Sequence, residues 1–181
     1  SLDPDPHDVL AKADALPHAS DVDVRADPAP VQADSLHLRI FEVLEASART
    51  SRFVALRLPG LDAVAHYYLR YAEPAAFGDV SDDERRRFGM VLDDYYGVLD
   101  ALVGRLYNSL GPDDLVLVVS SHGMEPLTPV KRVLERLVGD PVVSGTHERA
   151  PDGFVMAFGA AVRTARPDRG SVADITPTIL Y

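Results

Sequence analysis

Three short stretches of this 181-residue chain carry side chains whose types and spacing could do chemistry: Asp62-x-x-x-His66, Ser120-Ser121-His122-Gly123-Met124 and Gly145-Thr146-His147. Neutral imidazole and carboxylate are both good ligands for Zn²⁺, and three of them leave a fourth position open for water or substrate, as catalytic zinc sites do. Asp62 and His66 meet on one face if their segment is helical, because residues four apart are neighbours there. Each stretch alone has a plainer explanation. An isolated Asp-x-x-x-His is a weak match, and a lone histidine such as His122 after a strand is most often a hydrogen-bonded structural residue. The order and placement of the three together favour a metal site. His7, His18 and His37 lack such positions and read as solvated. Tyr67, Tyr68, Tyr71, Tyr95 and Tyr96 fall at helical spacing and read as core and boundary packing. Arg85-Arg86-Arg87 balances Asp82, Asp83 and Glu84 and reads as a solvated helix face.

The elements that must position these residues follow from periodicity and turn chemistry. In the opening segment only DVLAKADAL reads as helical; Pro28 and Pro30 then precede Asp34 and Ser35, which can cap a helix to about residue 48 with Leu36, Ile40, Val43 and Leu44 as its apolar face. Residues 53–58 form a short β-prone run ended by Pro59-Gly60, and residues 61–72 follow as a loop or short helix. Ser81 with Glu84 has the form of a capping box. The helix it opens should run to about Leu110, with Phe88, Val91, Leu92, Tyr95, Leu99, Leu102, Val103 and Leu106 on one side and Gly111-Pro112 as its stop. Leu115 to Val119 is continuously apolar, which predicts a central strand buried on both faces. Residues 129–139 read as a helix and Gly153 to Gly159 as another buried strand. Strand–helix–strand order with a long helical crossover points to an α/β protein with a mostly parallel sheet. Asp62 and His122 then fall just beyond strand ends, where open α/β sheets place their ligands.

Composition narrows the function classes. Hydrophobic residues at 46% and charged residues at 25% are globular proportions. No apolar run reaches the roughly 18–20 residues of a membrane span. The absence of Cys excludes disulfides, thiolate metal sites and Cys nucleophiles. A formal net charge of −10 argues against nucleic acid as a partner. That charge is uneven: residues 1–34 hold eight Asp against Lys12 and Arg25.

LPGLDAVAHYY, the long helix, DDLVLVVSSHGM, SGTHERAPDGFVMAFG and VADITPTILY together resemble the carboxy-terminal half of the alkaline phosphatase superfamily, nearest to type I phosphodiesterases and nucleotide pyrophosphatases. The resemblance runs from about residue 50 to 181, which makes 50–181 the carboxy-terminal part of a metal-dependent hydrolase domain and leaves 1–49 an unassigned acidic, Pro/Ala-rich segment plus helix. It implies a three-layer α/β/α sandwich with a mostly parallel central sheet, incomplete here at its amino-terminal side, and a phosphorylated small-molecule substrate. Members use divalent metals, usually two Zn²⁺, with a Thr or Ser nucleophile, and occur both inside and outside the membrane.

By that resemblance Asp62, His66 and His147 are the protein ligands of one metal and His122 a ligand of the second. The family has Asp where this chain has Ser121, a neutral and weaker donor, so one metal site is expected rather than two. Asp174 belongs to a family-like segment and reads as a structural helix cap before Pro177. Ser20, Ser35, Ser47 and Thr50 lack the strand–loop–helix context of the family nucleophile, so no nucleophile is identified. Two functions are therefore expected in competition: a zinc-dependent phosphohydrolase or phosphodiesterase, and a degenerate member or fragment that binds metal or a phosphorylated ligand without turnover.

Overall fold

The computed structural model describes residues 29–46, 53–139, 142–165 and 169–181. The DVLAKADAL piece, His7 and His18 lie outside the described residues, as does the end of the first long helix beyond residue 46. That helix, α1, spans Ala29–Ala46. Pro30 is no obstacle in its first turn, where the missing N–H would have no helical partner. Asp34 and Ser35 are consequently inside the helix rather than at its cap. The inward face is also different from the one expected: Leu38 and Asp34 are buried, while Leu36, Ile40, Val43 and Leu44 stand on the exposed side. Polar contacts set this rotation, because Asp34 reaches Gly60 and Tyr95, and Glu42 pairs with Arg105 at 3.3 Å.

Residues 53–59 have no helix or strand, so the strand expected at 53–58 does not form among the described residues. Phe53 and Val54 are exposed, and the Arg57 carbonyl is met by the His37 ring of α1 rather than by a neighbouring strand. Helix α2 (Gly60–Ala72) follows, then the single turn α3 (Pro74–Phe77). Ser81 and Glu84 make the expected capping box: the Glu84 N–H donates to Ser81 Oγ at 3.2 Å and the Ser81 N–H to Glu84 Oε2 at 2.9 Å. The helix they open is shorter than expected. It splits into α4 (Asp82–Phe88) and α5 (Val91–Ser109), with a turn at Gly89 and Met90.

The buried cluster lies between α2 and α5: Val64, Ala65, Tyr68, Leu69 and Tyr71 against Val91, Leu92 and Tyr95. Tyr68 packs edge-on and Tyr71 tilted against Phe88, with ring centroids 6.2 and 5.1 Å apart. Each such aliphatic side chain contributes about 1.5–3 kcal/mol when withdrawn from water, so this helical pair anchors α2, the helix that carries Asp62 and His66. Burial pushes the Tyr68 hydroxyl up to about 12, which keeps it neutral in the packing.

β1 spans Val116–His122 and the short β2 Glu125–Pro126; α6 (Pro129–Val138), β3 (Gly145–Thr146) and β4 (Asp152–Phe158) complete the second half. A 3₁₀ turn (Val172–Asp174) leads into α7 (Ile175–Leu180). Asp174 stands at the start of α7 but makes no side-chain cap there; its carboxylate instead accepts from the Ser171 N–H at 2.7 Å in a capping box of the 3₁₀ turn. The protein is thus mixed α/β, but β1 and β4 pair antiparallel, from Val116 opposite Phe158 to His122 opposite Asp152. The reason is local. β2 pairs with β3 and the Gly123 N–H donates to the Pro151 carbonyl at 2.8 Å, so the chain returns beside the end of β1 and can only run back along it. Nor are the strands buried on both faces. Val119, Phe154, Val155 and Met156 are exposed, so the described residues leave these side chains uncovered.

Candidate metal centre

Asp62 lies in the first turn of α2 and His66 one turn later, so the helix presents both on one face. β3 brings His147 to the same place. It approaches α2 so closely that a Cβ on Gly145 would lie 2.9 Å from the Ala65 carbonyl oxygen and 2.7 Å from Met124 Sδ, so only glycine fits there. Ser144, just before it and only 1% exposed, fastens the two segments. Its N–H and its hydroxyl both donate to the His66 carbonyl, at 2.7 and 3.0 Å. The same hydroxyl accepts from the Arg70 N–H at 3.3 Å. It therefore bridges the two backbone groups that one helical hydrogen bond joins.

The two imidazoles are oriented in the same way. His66 Nδ1 lies 2.8 Å from the Gly145 carbonyl oxygen, and His147 Nδ1 lies 2.8 Å from that of Gly123. A carbonyl can only accept, so each Nδ1 donates, and each ring turns its Nε2 toward Asp62. His147 Nε2 stands 2.7 Å from Asp62 Oδ1 and His66 Nε2 3.9 Å from Oδ2. The donor atoms of Asp62, His66 and His147 all lie within 4.8 Å of one another, and among the described residues this is the group able to hold a metal ion. Asp62 is about half exposed, at 53%, against 30% for His66 and 29% for His147, so the cluster is open on one side.

The donor set fits a cation. His147 Nε2 is buried and makes no hydrogen bond, although the Asp62 carboxylate is beside it. Two facing lone pairs at that distance repel unless a proton or a metal ion lies with them. Orientation of a ligating histidine by a carbonyl on its other ring nitrogen is the usual outer-shell arrangement of a metal site.

His122 closes β1 and is exposed, its ring centroid 4.0 Å from that of His147. The structure brings it beside the cluster but not into the three-residue group. Ser121 precedes it, also exposed. Among the Ser and Thr residues weighed as nucleophiles, Ser20, Ser47 and Thr50 lie outside the described residues, and the Ser35 hydroxyl donates to the Val31 carbonyl within α1 at 3.3 Å.

A family model described as type I phosphodiesterase / nucleotide pyrophosphatase matches residues 8–175. The chain belongs to this family. The match begins well ahead of residue 50, where the recognisable motifs start, so the phosphodiesterase family reaches into the acidic segment and α1 as well. Comparison with curated proteins and with solved structures gave no match. No helix among the described residues of this phosphodiesterase relative is long and apolar enough to cross a membrane.

Sequence reasoning missed Ser144, the two orienting carbonyls and the burial of Asp34. Asp34 left a signal: it stands four residues before Leu38 on the face that turns out apolar. Ser144 left none, because its role depends on a helix far away in sequence.

Proposed function

We propose that this type I phosphodiesterase relative hydrolyses a phosphate ester at a single zinc centre held by Asp62, His66 and His147. The observation that carries the reading is the pair of imidazoles whose Nδ1–H groups are engaged by backbone carbonyls, which directs both Nε2 atoms at one carboxylate. A divalent cation bound there supplies Lewis acidity toward water and toward the phosphoryl oxygens of the substrate. The chain's own groups supply the rest. Neutral histidines and one carboxylate leave a divalent ion with net positive charge, which reverses locally the repulsion that a −10 chain exerts on a phosphate. His122 is exposed beside His147; Ser121, in the position where the family has Asp, argues against a second strongly held cation. The substrate class is a phosphorylated small molecule. The experiment is zinc analysis together with hydrolysis of bis(p-nitrophenyl) phosphate by the parent chain and by His147→Ala. One zinc per chain and loss of hydrolysis in the variant are expected; undiminished hydrolysis would sink the proposal.

Ser121 favours one other reading, a member that binds metal or a phosphorylated ligand without turnover. Stoichiometric zinc with no hydrolysis of any phosphoester would decide for it. We also propose that residues 50–181 adopt the three-layer α/β/α arrangement of the superfamily. The exposed apolar residues of β1 and β4, and of α6 at Val130 and Leu137 (80% and 76% exposed), support further layers over these faces.

A further inference from the structure

We propose that Asp34, with Tyr95, is a positioning residue for the metal-ligating face of α2, an inference that rests on the zinc-centre reading above. Helix α2 starts without a cap of its own. Pro59, which precedes α2, makes no side-chain cap, and the first N–H groups of a helix need acceptors that the helix itself does not supply. Asp34 provides them from another helix: the Gly60 N–H donates to both of its carboxylate oxygens, each at 3.1 Å. The negative charge also lies at the favourable, positive end of the α2 dipole. Tyr95 on α5 donates its hydroxyl to the same carboxylate, so residues of two helices meet at the start of a third. Both are nearly inaccessible, Asp34 at 5% and Tyr95 at 2% exposure.

The fit admits little movement. A Cβ on Gly60 would overlap the Tyr95 hydroxyl and come within 2.6 Å of Asp34 Oδ2, so the backbone of the first turn rests directly on this pair. One turn further along α1, His37 Nδ1 donates to the Arg57 carbonyl at 2.8 Å. Two side chains of α1 thus grip the chain on either side of Pro59, at Arg57 and Gly60. Asp62 follows two residues later in the same turn, and its carboxylate is the group that both Nε2 atoms approach. Its own side chain is half exposed, so its position is inherited from the seat of the helix.

The test is Co²⁺ titration of the full chain, read by its visible absorption, alongside thermal unfolding of each variant. Asp34→Ala should weaken Co²⁺ binding about 10–100-fold, the range for groups that orient metal ligands. Asp34→Asn retains an acceptor for the Gly60 N–H and should bind within about threefold of the parent. If Asp34→Ala does not fold, Tyr95→Phe takes its place, with a loss of about threefold or more, the worth of one buried hydrogen bond. Affinity within twofold of the parent in Asp34→Ala (or in Tyr95→Phe where it stands in), whatever the melting temperature, overturns the positioning role and leaves the zinc centre standing. So does an Asn variant as weak as the Ala variant. A parent chain that binds no Co²⁺ overturns the zinc-centre reading, and the positioning role with it.

Discussion

Replacing Ser144 by Ala removes one oxygen from the junction between α2 and β3. That oxygen makes two hydrogen bonds, to the His66 carbonyl at 3.0 Å and from the Arg70 N–H at 3.3 Å. The residue is 1% exposed, so water does not replace them. The backbone bond from the Ser144 N–H to the same carbonyl, at 2.7 Å, survives the change. Two neutral hydrogen bonds at about 0.5–1.5 kcal/mol each give a loss of about 1–3 kcal/mol. The longer of the two belongs near the lower end of that range, which puts the expectation at about 2 kcal/mol. For a domain of this size that is a fall in Tm of roughly 4–8 °C. Urea unfolding followed by circular dichroism measures it, with an unchanged m-value required for a clean comparison. A loss below about 0.5 kcal/mol would refute the idea that this hydroxyl fastens the histidine-bearing strand to the histidine-bearing helix.

Four further outcomes are expected. His147→Ala should release zinc while leaving the urea midpoint of the metal-free protein nearly unchanged, which equilibrium dialysis and denaturation check together. Gly60→Ala should cost at least about 1–3 kcal/mol through overpacking against Tyr95 and Asp34, measured as a shift in the urea midpoint. Ser81→Ala should cost about 1 kcal/mol as a lost cap. Hydrogen bonds from Ser81 hold the Glu84 carboxyl below its usual 4.5, so this contribution is present above about pH 4.5 and lost as pH falls through the lower folded value; the Ala variant should show a flatter acid limb. Ser121→Asp places a carboxylate next to His122 and should raise zinc content from one equivalent toward two, read by atomic absorption.

Local signals carried much of the fold. The Ser81–Glu84 box, the strands around Val118 and Val155 and the helix over 129–139 are written in neighbouring residues, and they form where expected. The Asp62–His66 pair of the candidate group was legible for the same reason, since it needs only a helix to meet, whereas His147 joins it through β3, a distant partner. What failed depended on distant partners. The rotation of α1 is set by Asp34 meeting Gly60 and Tyr95, 26 and 61 residues away, and no periodicity within α1 reports that. The direction of β4 is set by the β2–β3 pair, two residues on each side, too short to show as a pattern. Burial raises the Asp34 carboxyl above its ordinary range against the opposing pull of Tyr95 and Gly60. Such a cost is visible only once the neighbours are known.

The cross-bracing of the two histidines also ties the donor set to the whole fold. The His66 ring is fixed by a carbonyl 79 residues away and the His147 ring by one 24 residues away. Contacts so distant in sequence carry a loop-closure entropy that must be met before they return anything, and the 79-residue closure at His66 carries the largest, so the full donor set exists only in the assembled fold. An unfolded chain then offers Asp62 and His66 without His147. A cation selective for all three binds the native form alone and stabilises it by about 2.7 kcal/mol at a hundredfold excess over its Kd. If the candidate centre takes up such an ion, its supply would also shift the folding equilibrium toward the native state, an effect separate from the proposed hydrolysis.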